Sequence, residues 1–123
     1  MATEHPTILV IDDDPALRKL LQRDLEMEGY RVMTARNGEM GLEMIRSLGP
    51  ELVLLDIMMP GMDGFEVCER ARQFTNVPII MLTVKGQPDD MVRGMSIGAT
   101  EYVTKPFHLD RLFDRIGTLL AQQ

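Results

Sequence analysis

Five short, largely apolar runs punctuate the chain, and a stretch with helical spacing of apolar residues follows each of them. The runs are Thr7 to Asp12 (TILVID), Tyr30 to Ala35 (YRVMTA), the stretch opening at Leu52 (LVLLD), Val77 to Thr83 (VPIIMLT) and Glu101 to Thr104. Continuous β-branched and aliphatic runs without strict alternation suit strands covered on both faces, as in a parallel sheet. Leu17, Leu20, Leu21 and Leu25 share one helical stripe, and so do Leu109, Leu112, Phe113, Ile116, Leu119 and Leu120. Helices are also predicted over Gly38 to Leu48, from Asp63-Gly64 to about Phe74, and from about Asp89 to Ile97 after a polar loop, Lys85-Gly86-Gln87-Pro88. Asp14 before Pro15 reads as a helix cap followed by proline at the first helical position, and Asp63 with Glu66 three residues on reads as a capping box. Gly29, Gly49-Pro50 and Gly98 are the stops. This strand–helix alternation predicts a single three-layer α/β domain over residues 1–123, with five parallel strands, helices on both faces and a short N-terminal tail, residues 1–6.

Composition narrows the classes. Hydrophobic residues make up 45% and charged residues 26%, as expected of an ordinary globular domain that folds alone. Thirteen basic residues face 19 acidic ones, for a net charge of -6, and the basic residues are scattered. Gripping nucleic acid or an anionic membrane depends on clustered Lys and Arg, so neither is expected of this domain. No apolar window approaches the roughly 18 residues of a membrane span and the N-terminus has no signal-like core, so a cytoplasmic location is expected. Cys68 is the only cysteine and reads as a partly buried helical thiol. Met27, Met33, Met40, Met44, Met81, Met91 and Met95 lie among apolar neighbours and read as core filler.

The chemistry gathers where the strands end. Asp12 and Asp13 follow the first, Asp56 the third, Thr83 the fourth and Lys105 the fifth. In an open parallel sheet ligands bind just beyond the carboxyl ends of the strands. If these edges converge, three carboxylates share a pocket with one ammonium, and a divalent ion would cancel the remaining charge. Hard oxygen donors suit Mg²⁺. One carboxylate could then act as nucleophile toward phosphorus, with Lys105 and Thr83 engaging the phosphoryl oxygens. The chain has no glycine-rich phosphate loop and no Ser-His-Asp set. His5 lies in the tail, and His108 sits at a helix start, where a solvated or capping role is expected. An acceptor is therefore favoured over a hydrolytic enzyme.

The acidic pair after the first strand, LVLLDIMMPGMDG from Leu52 to Gly64, MLT at the fourth strand and GATEYVTKPF around the fifth together closely resemble the receiver domain of two-component response regulators. The resemblance runs from Ile8 to about Leu120. It implies a flavodoxin-like sheet in the order 2-1-3-4-5. It also implies a signalling domain, not a conventional enzyme, that accepts a phosphoryl group on Asp56 from a sensor histidine kinase or histidine phosphotransfer protein and assists its own phosphorylation and dephosphorylation. Asp13, Asp56 and the Met58 carbonyl would bind Mg²⁺, or Mn²⁺ in its place, and Asp12 would help through water. Thr83 and Lys105 would hold the phosphoryl oxygens, and Tyr102 would swing inward on activation. That would remodel the face of the fourth helix, fifth strand and fifth helix, which would control an output and could carry a homodimer. A cis bond between Lys105 and Pro106 is implied as well.

Val84, where the family usually has a smaller residue, would flank the phosphoryl group and shield it, while Lys85 could instead help place water. Two other functions compete with this reading. One is a Mg²⁺-dependent phosphohydrolase passing through an aspartyl-phosphate, but such enzymes place a second acid two residues after the nucleophile, and Met58 stands there. The other is a receiver-like interaction module that is not phosphorylated. Lys105 and Thr83 taken singly read as a surface lysine and a strand residue, Tyr102 as packing, and Asp12 to Asp14 as an exposed acidic turn. In the class of receivers joined to a winged-helix DNA-binding domain, acidic and basic residues usual for dimer ion pairs are replaced here by Thr100, Arg111 and Gly117. With the sequence stopping at Gln123, the expectation is a stand-alone or an excised receiver.

Overall fold

The computed structural model describes residues 5–84 and 88–122. Its elements are β1 (Thr7–Ile11), α1 (Pro15–Met27), β2 (Arg31–Ala35), α2 (Gly38–Leu48), β3 (Leu52–Asp56), α3 (Gly64–Ala71), β4 (Ile79–Val84), α4 (Pro88–Ser96), β5 (Glu101–Lys105) and α5 (Leu109–Ala121). The strands form one parallel sheet in the order β2-β1-β3-β4-β5.

Two apolar layers explain why the runs are continuous. Leu9, Ile11, Val53, Leu55, Ile79 and Met81 face a layer with Ile45 of α2 and Phe65, Val67, Cys68 and Ala71 of α3. Their neighbours Ile8, Val10, Leu52, Leu54, Ile80 and Leu82 face the opposite layer, with Leu21 and Leu25 of α1 and Leu112, Ile116 and Leu119 of α5. Successive strand side chains point to opposite faces, so a strand packed on both must be apolar at every position. Fully burying one such side chain contributes about 1.5–3 kcal/mol. Cys68 is buried and unpaired, and burial pushes its thiol above the usual range.

The helix ends follow the predicted chemistry. Asp14 accepts a hydrogen bond from the Ala16 amide at 3.0 Å, with Pro15 opening α1. Asp63 caps α3, accepting from the Glu66 amide at 2.9 Å, but the Glu66 carboxylate turns to Arg70 at 2.6 Å and makes no return bond to Asp63, so only the cap half of the predicted capping box forms. Gly49 ends α2 at φ 57°, a left-handed backbone that glycine adopts without a steric cost. His108 occupies the cap position of α5 but makes no capping bond and is exposed, so of its two expected roles only the solvated one holds. The predicted boundaries shift slightly. The third helix stops at Ala71 and passes into a turn, the fourth strand starts at Ile79, and Pro88 opens α4 instead of closing the loop before it.

One expectation is corrected. Met27, Met91 and Met95 do not fill the core; they are 77%, 47% and 48% exposed. On α4 the buried contact is made by Gly94, where an added Cβ would come within 2.8 Å of Met81 Sδ. That close approach leaves the helix's longer apolar side chains outside. Met81 is fully buried, and Met33, Met40 and Met44 pack against the core as expected.

Candidate functional site

Register brings the chemistry to one edge. Asp56 is the last residue of β3 and pairs with Leu82, so Thr83 lies one step beyond it on β4 and itself pairs with Thr104, next to Lys105 on β5. Ile11 closes β1 beside Leu55, which puts Asp12 and Asp13 at the same edge. An oxygen from each of Asp12, Asp13 and Asp56 lies within 4.8 Å of the other two. Asp12 and Asp56 are buried, and Asp13 is exposed. The Lys105 ammonium reaches both buried acids, 3.4 Å from Asp56 Oδ1 and 3.5 Å from Asp12 Oδ2. The predicted strand-end residues therefore converge, and Asp12 is no exposed acidic turn.

The backbone under Asp56 is packed closely. Its Oδ1 accepts from the Met58 amide at 3.3 Å, and the Gly64 amide at the start of α3 donates to the Ile57 carbonyl at 3.0 Å. A Cβ on Gly64 would sit 2.5 Å from the Asp56 carbonyl oxygen, so only glycine lets α3 begin against this strand end. Lys105–Pro106 is cis.

Electrostatically the pocket favours protons or a cation. Burial pushes the Asp56 carboxyl up from its ordinary 3.8 to about 6, and the neighbouring Asp12 charge pushes the same way. Lys105 and the Met58 amide pull it back only in part. Asp12 is also raised, by burial first, against the Asp14 amide and Lys105. Among the described residues the buried Thr83 Oγ1 has no hydrogen-bond partner, and the buried Asp12 Oδ2 has only the Lys105 ammonium at 3.5 Å. Leaving such an atom unsatisfied costs about 1–3 kcal/mol. An all-oxygen donor set with excess negative charge fits a hard divalent cation, and a buried hydroxyl at the same edge fits an oxyanion beside it.

Tyr102 is half-buried, pairs in register with Met81 and packs against the core layer that holds Phe65 and Ala99. Val84 ends β4, but its side chain, like all of Lys85, lies outside the described residues. Of the positions that depart from the dimer pattern, Thr100 accepts from the Ile79 amide at 3.0 Å, and Arg72 reaches both Thr100 Oγ1 at 3.5 Å and the Gly98 carbonyl at 2.8 Å. Glu101 pairs with Arg115 inside the chain. Arg18 on α1 donates to the Asp12 carbonyl at 2.7 Å. Sequence reasoning passed over Arg18 and Arg72, since a long side chain reaching a carbonyl leaves no periodic signal; a basic residue one turn past an acidic strand end was the sole hint of Arg18.

Comparison with known proteins agrees with this geometry. The family model described as response regulator receiver domain matches residues 8–117. The chain is 45% identical over 122 residues to the Porphyra purpurea protein named "Probable transcriptional regulator ycf27", covering 99% of this chain and 50% of that protein. It is 45% identical over 117 residues to Transcriptional regulatory protein AfsQ1 of Streptomyces coelicolor, covering 95% and 52%. It thus spans about half the length of the curated relatives it matches. Among solved structures, the Francisella response regulator 1452 receiver domain superposes with a TM-score of 0.91 at 29% identity, covering 96% of this chain and 98% of that one. A CheY-like response regulator receiver domain protein from Methanospirillum hungatei does so with a TM-score of 0.91 at 32% identity, covering 96% and 95%. With the acid cluster, the sheet order and the family match in agreement, this chain belongs to the response regulator receiver domain family.

Proposed function

We propose that the chain is a single receiver domain whose Asp56 accepts a phosphoryl group from a phosphohistidine on a sensor histidine kinase or phosphotransfer protein. The observation that carries this reading is the buried Asp56 carboxylate held 3.4 Å from Lys105, with Asp12 and Asp13 in reach and the Thr83 hydroxyl unpaired at the same edge. In the transfer, an Asp56 oxygen bonds to phosphorus as the phosphorus–nitrogen bond to the donor imidazole breaks. At neutral pH the carboxyl, with its pKa near 6, is mostly ionised and able to attack. Lys105 and Thr83 then offer an ammonium and a hydroxyl to the equatorial oxygens, the positions where phosphoryl transfer gathers charge. Asp13, Asp56 and the Met58 carbonyl would hold Mg²⁺ or Mn²⁺, and Asp12 would help through water. Bound there, the cation supplies neutralising charge for the phosphoryl oxygens.

Phosphorylation turns one negative charge into roughly two and adds acceptor oxygens. Thr83 moves toward them, Tyr102 takes the space it leaves, and the α4-β5-α5 face is remodelled for an output. The relatives' names point to transcription as that output, through a further domain or a partner. A homodimer on this face would need contacts beyond the usual ion pairs, which are partly missing because Thr100, Arg111 and Gly117 stand at their positions. No helix among the described residues is long and apolar enough to cross a membrane, which agrees with a cytoplasmic site of action.

The direct test of the donor is transfer from a purified, histidine-phosphorylated phosphotransfer protein. Label should pass to this chain with Mg²⁺ and stay on the donor with EDTA. Failure of several such donors and of sensor kinases, while a small phosphodonor labels the chain, would remove the phosphohistidine partner from the reading.

A further inference from the structure

Arg18 lies one turn into α1, where its backbone amide donates to the Asp14 carbonyl at 3.0 Å. Its Nη1 turns back to the Asp12 carbonyl oxygen at 2.7 Å. That oxygen belongs to the peptide joining Asp12 to Asp13, so the guanidinium fixes the plane from which Asp13 leaves the chain. The rest of Asp12 is already tied: its amide donates to the Ala35 carbonyl at 3.1 Å, and its Oδ1 accepts from the Asp14 amide at 2.9 Å. Asp13 is exposed, and the position of its carboxylate depends on the backbone beneath it. Hydrogen bonds with an ionised donor are roughly twice as strong as neutral ones, so this one is a firm anchor.

We propose that Arg18 is a positioning residue for the acidic pair, holding the Asp12–Asp13 peptide so that Asp13 is presented to the divalent cation. The proposal rests on the metal-dependent phosphoacceptor reading above. Charge and position act with opposite signs here, which makes the two separable. Arg18 is itself a cation near a cation site, so removing its charge alone would tighten metal binding. Removing its grip on the peptide weakens binding, and residues that orient metal ligands are typically worth on the order of tenfold to a hundredfold in affinity.

The test is calorimetric titration of Mg²⁺ and Mn²⁺ into the wild type, Arg18→Ala and Arg18→Lys, with the folded fraction of each fixed beforehand by metal-free urea denaturation. Arg18→Ala should bind on the order of tenfold more weakly. Arg18→Lys, which keeps the charge and a donor, should lie closer to the wild type. In metal-free Arg18→Ala the Asp13 amide resonance should move, because its N–H belongs to the released peptide. With a small phosphodonor, Arg18→Ala should need more Mg²⁺ but reach the wild-type rate at saturation. Equal or tighter metal binding by folded Arg18→Ala, with the wild type binding normally, would overturn the proposal. A wild type that binds neither ion would instead sink the metal-dependent reading beneath it.

Discussion

Asp56→Asn should make the metal-free protein more stable at pH 7, by about 3 kcal/mol, although it removes the proposed phosphoacceptor. The Asp56 carboxyl rises from 3.8 to about 6 on folding, and each pH unit of displacement is worth about 1.4 kcal/mol. Between those two values the folded state holds a proton that the unfolded chain has released. Stability contributed by the protonated form is therefore complete below about pH 3.8 and is lost as pH rises to about 6. Asparagine keeps the shape without the charge and also relieves Asp12, which is raised for the same reasons. Urea unfolding in EDTA should show the gap between the two proteins opening across that window and nearly closing at pH 4. Mg²⁺ should narrow it again by binding only the folded wild type. A variant less stable than the wild type at pH 7, or a gap independent of pH, would mean that Asp56 is not under this strain.

Lys105→Ala should slow phosphorylation by a small donor on the order of a hundredfold to a thousandfold, the usual cost of removing one preorganised donor from a developing oxyanion. The same substitution should tighten Mg²⁺ binding. The ammonium lies 3.4 Å from Asp56 and 3.5 Å from Asp12, and two unit charges about 4 Å apart interact by about 4 kcal/mol at an effective dielectric of 20. Without it both carboxylates turn fully to the cation. A general loss of structure would weaken both properties together, so the opposite signs identify the role. Slower labelling with weaker metal binding would show that Lys105 mainly holds the pocket's shape.

The sheet could be read from the sequence because its inner strands β1, β3 and β4 are buried on both faces and so carry continuous apolar runs, which end at Asp12, Asp56 and Thr83. The edge strands β2 and β5 are only partly covered and gave the weaker runs ending at Ala35 and Thr104. Asp14 and Asp63 could be read as caps because an acid before a helix has a local task that its neighbours reveal. Strand order was different: it came from resemblance, since no local signal says that β1 sits between β2 and β3. The outward side chains of α4 were misjudged because helix packing there is decided by Gly94 against Met81, and a methionine's identity does not say which side of the helix it occupies. Arg18 and Arg72 were invisible for a related reason: their partners are backbone carbonyls brought near only by the fold.

Intact-mass measurement after incubation with a small phosphodonor and Mg²⁺ tests the central claim most directly. The wild type should gain one phosphoryl group, and EDTA or Asp56→Asn should abolish the gain. A phosphoryl adduct that persists in Asp56→Asn, or a folded, metal-loaded wild type that never acquires one, would contradict it.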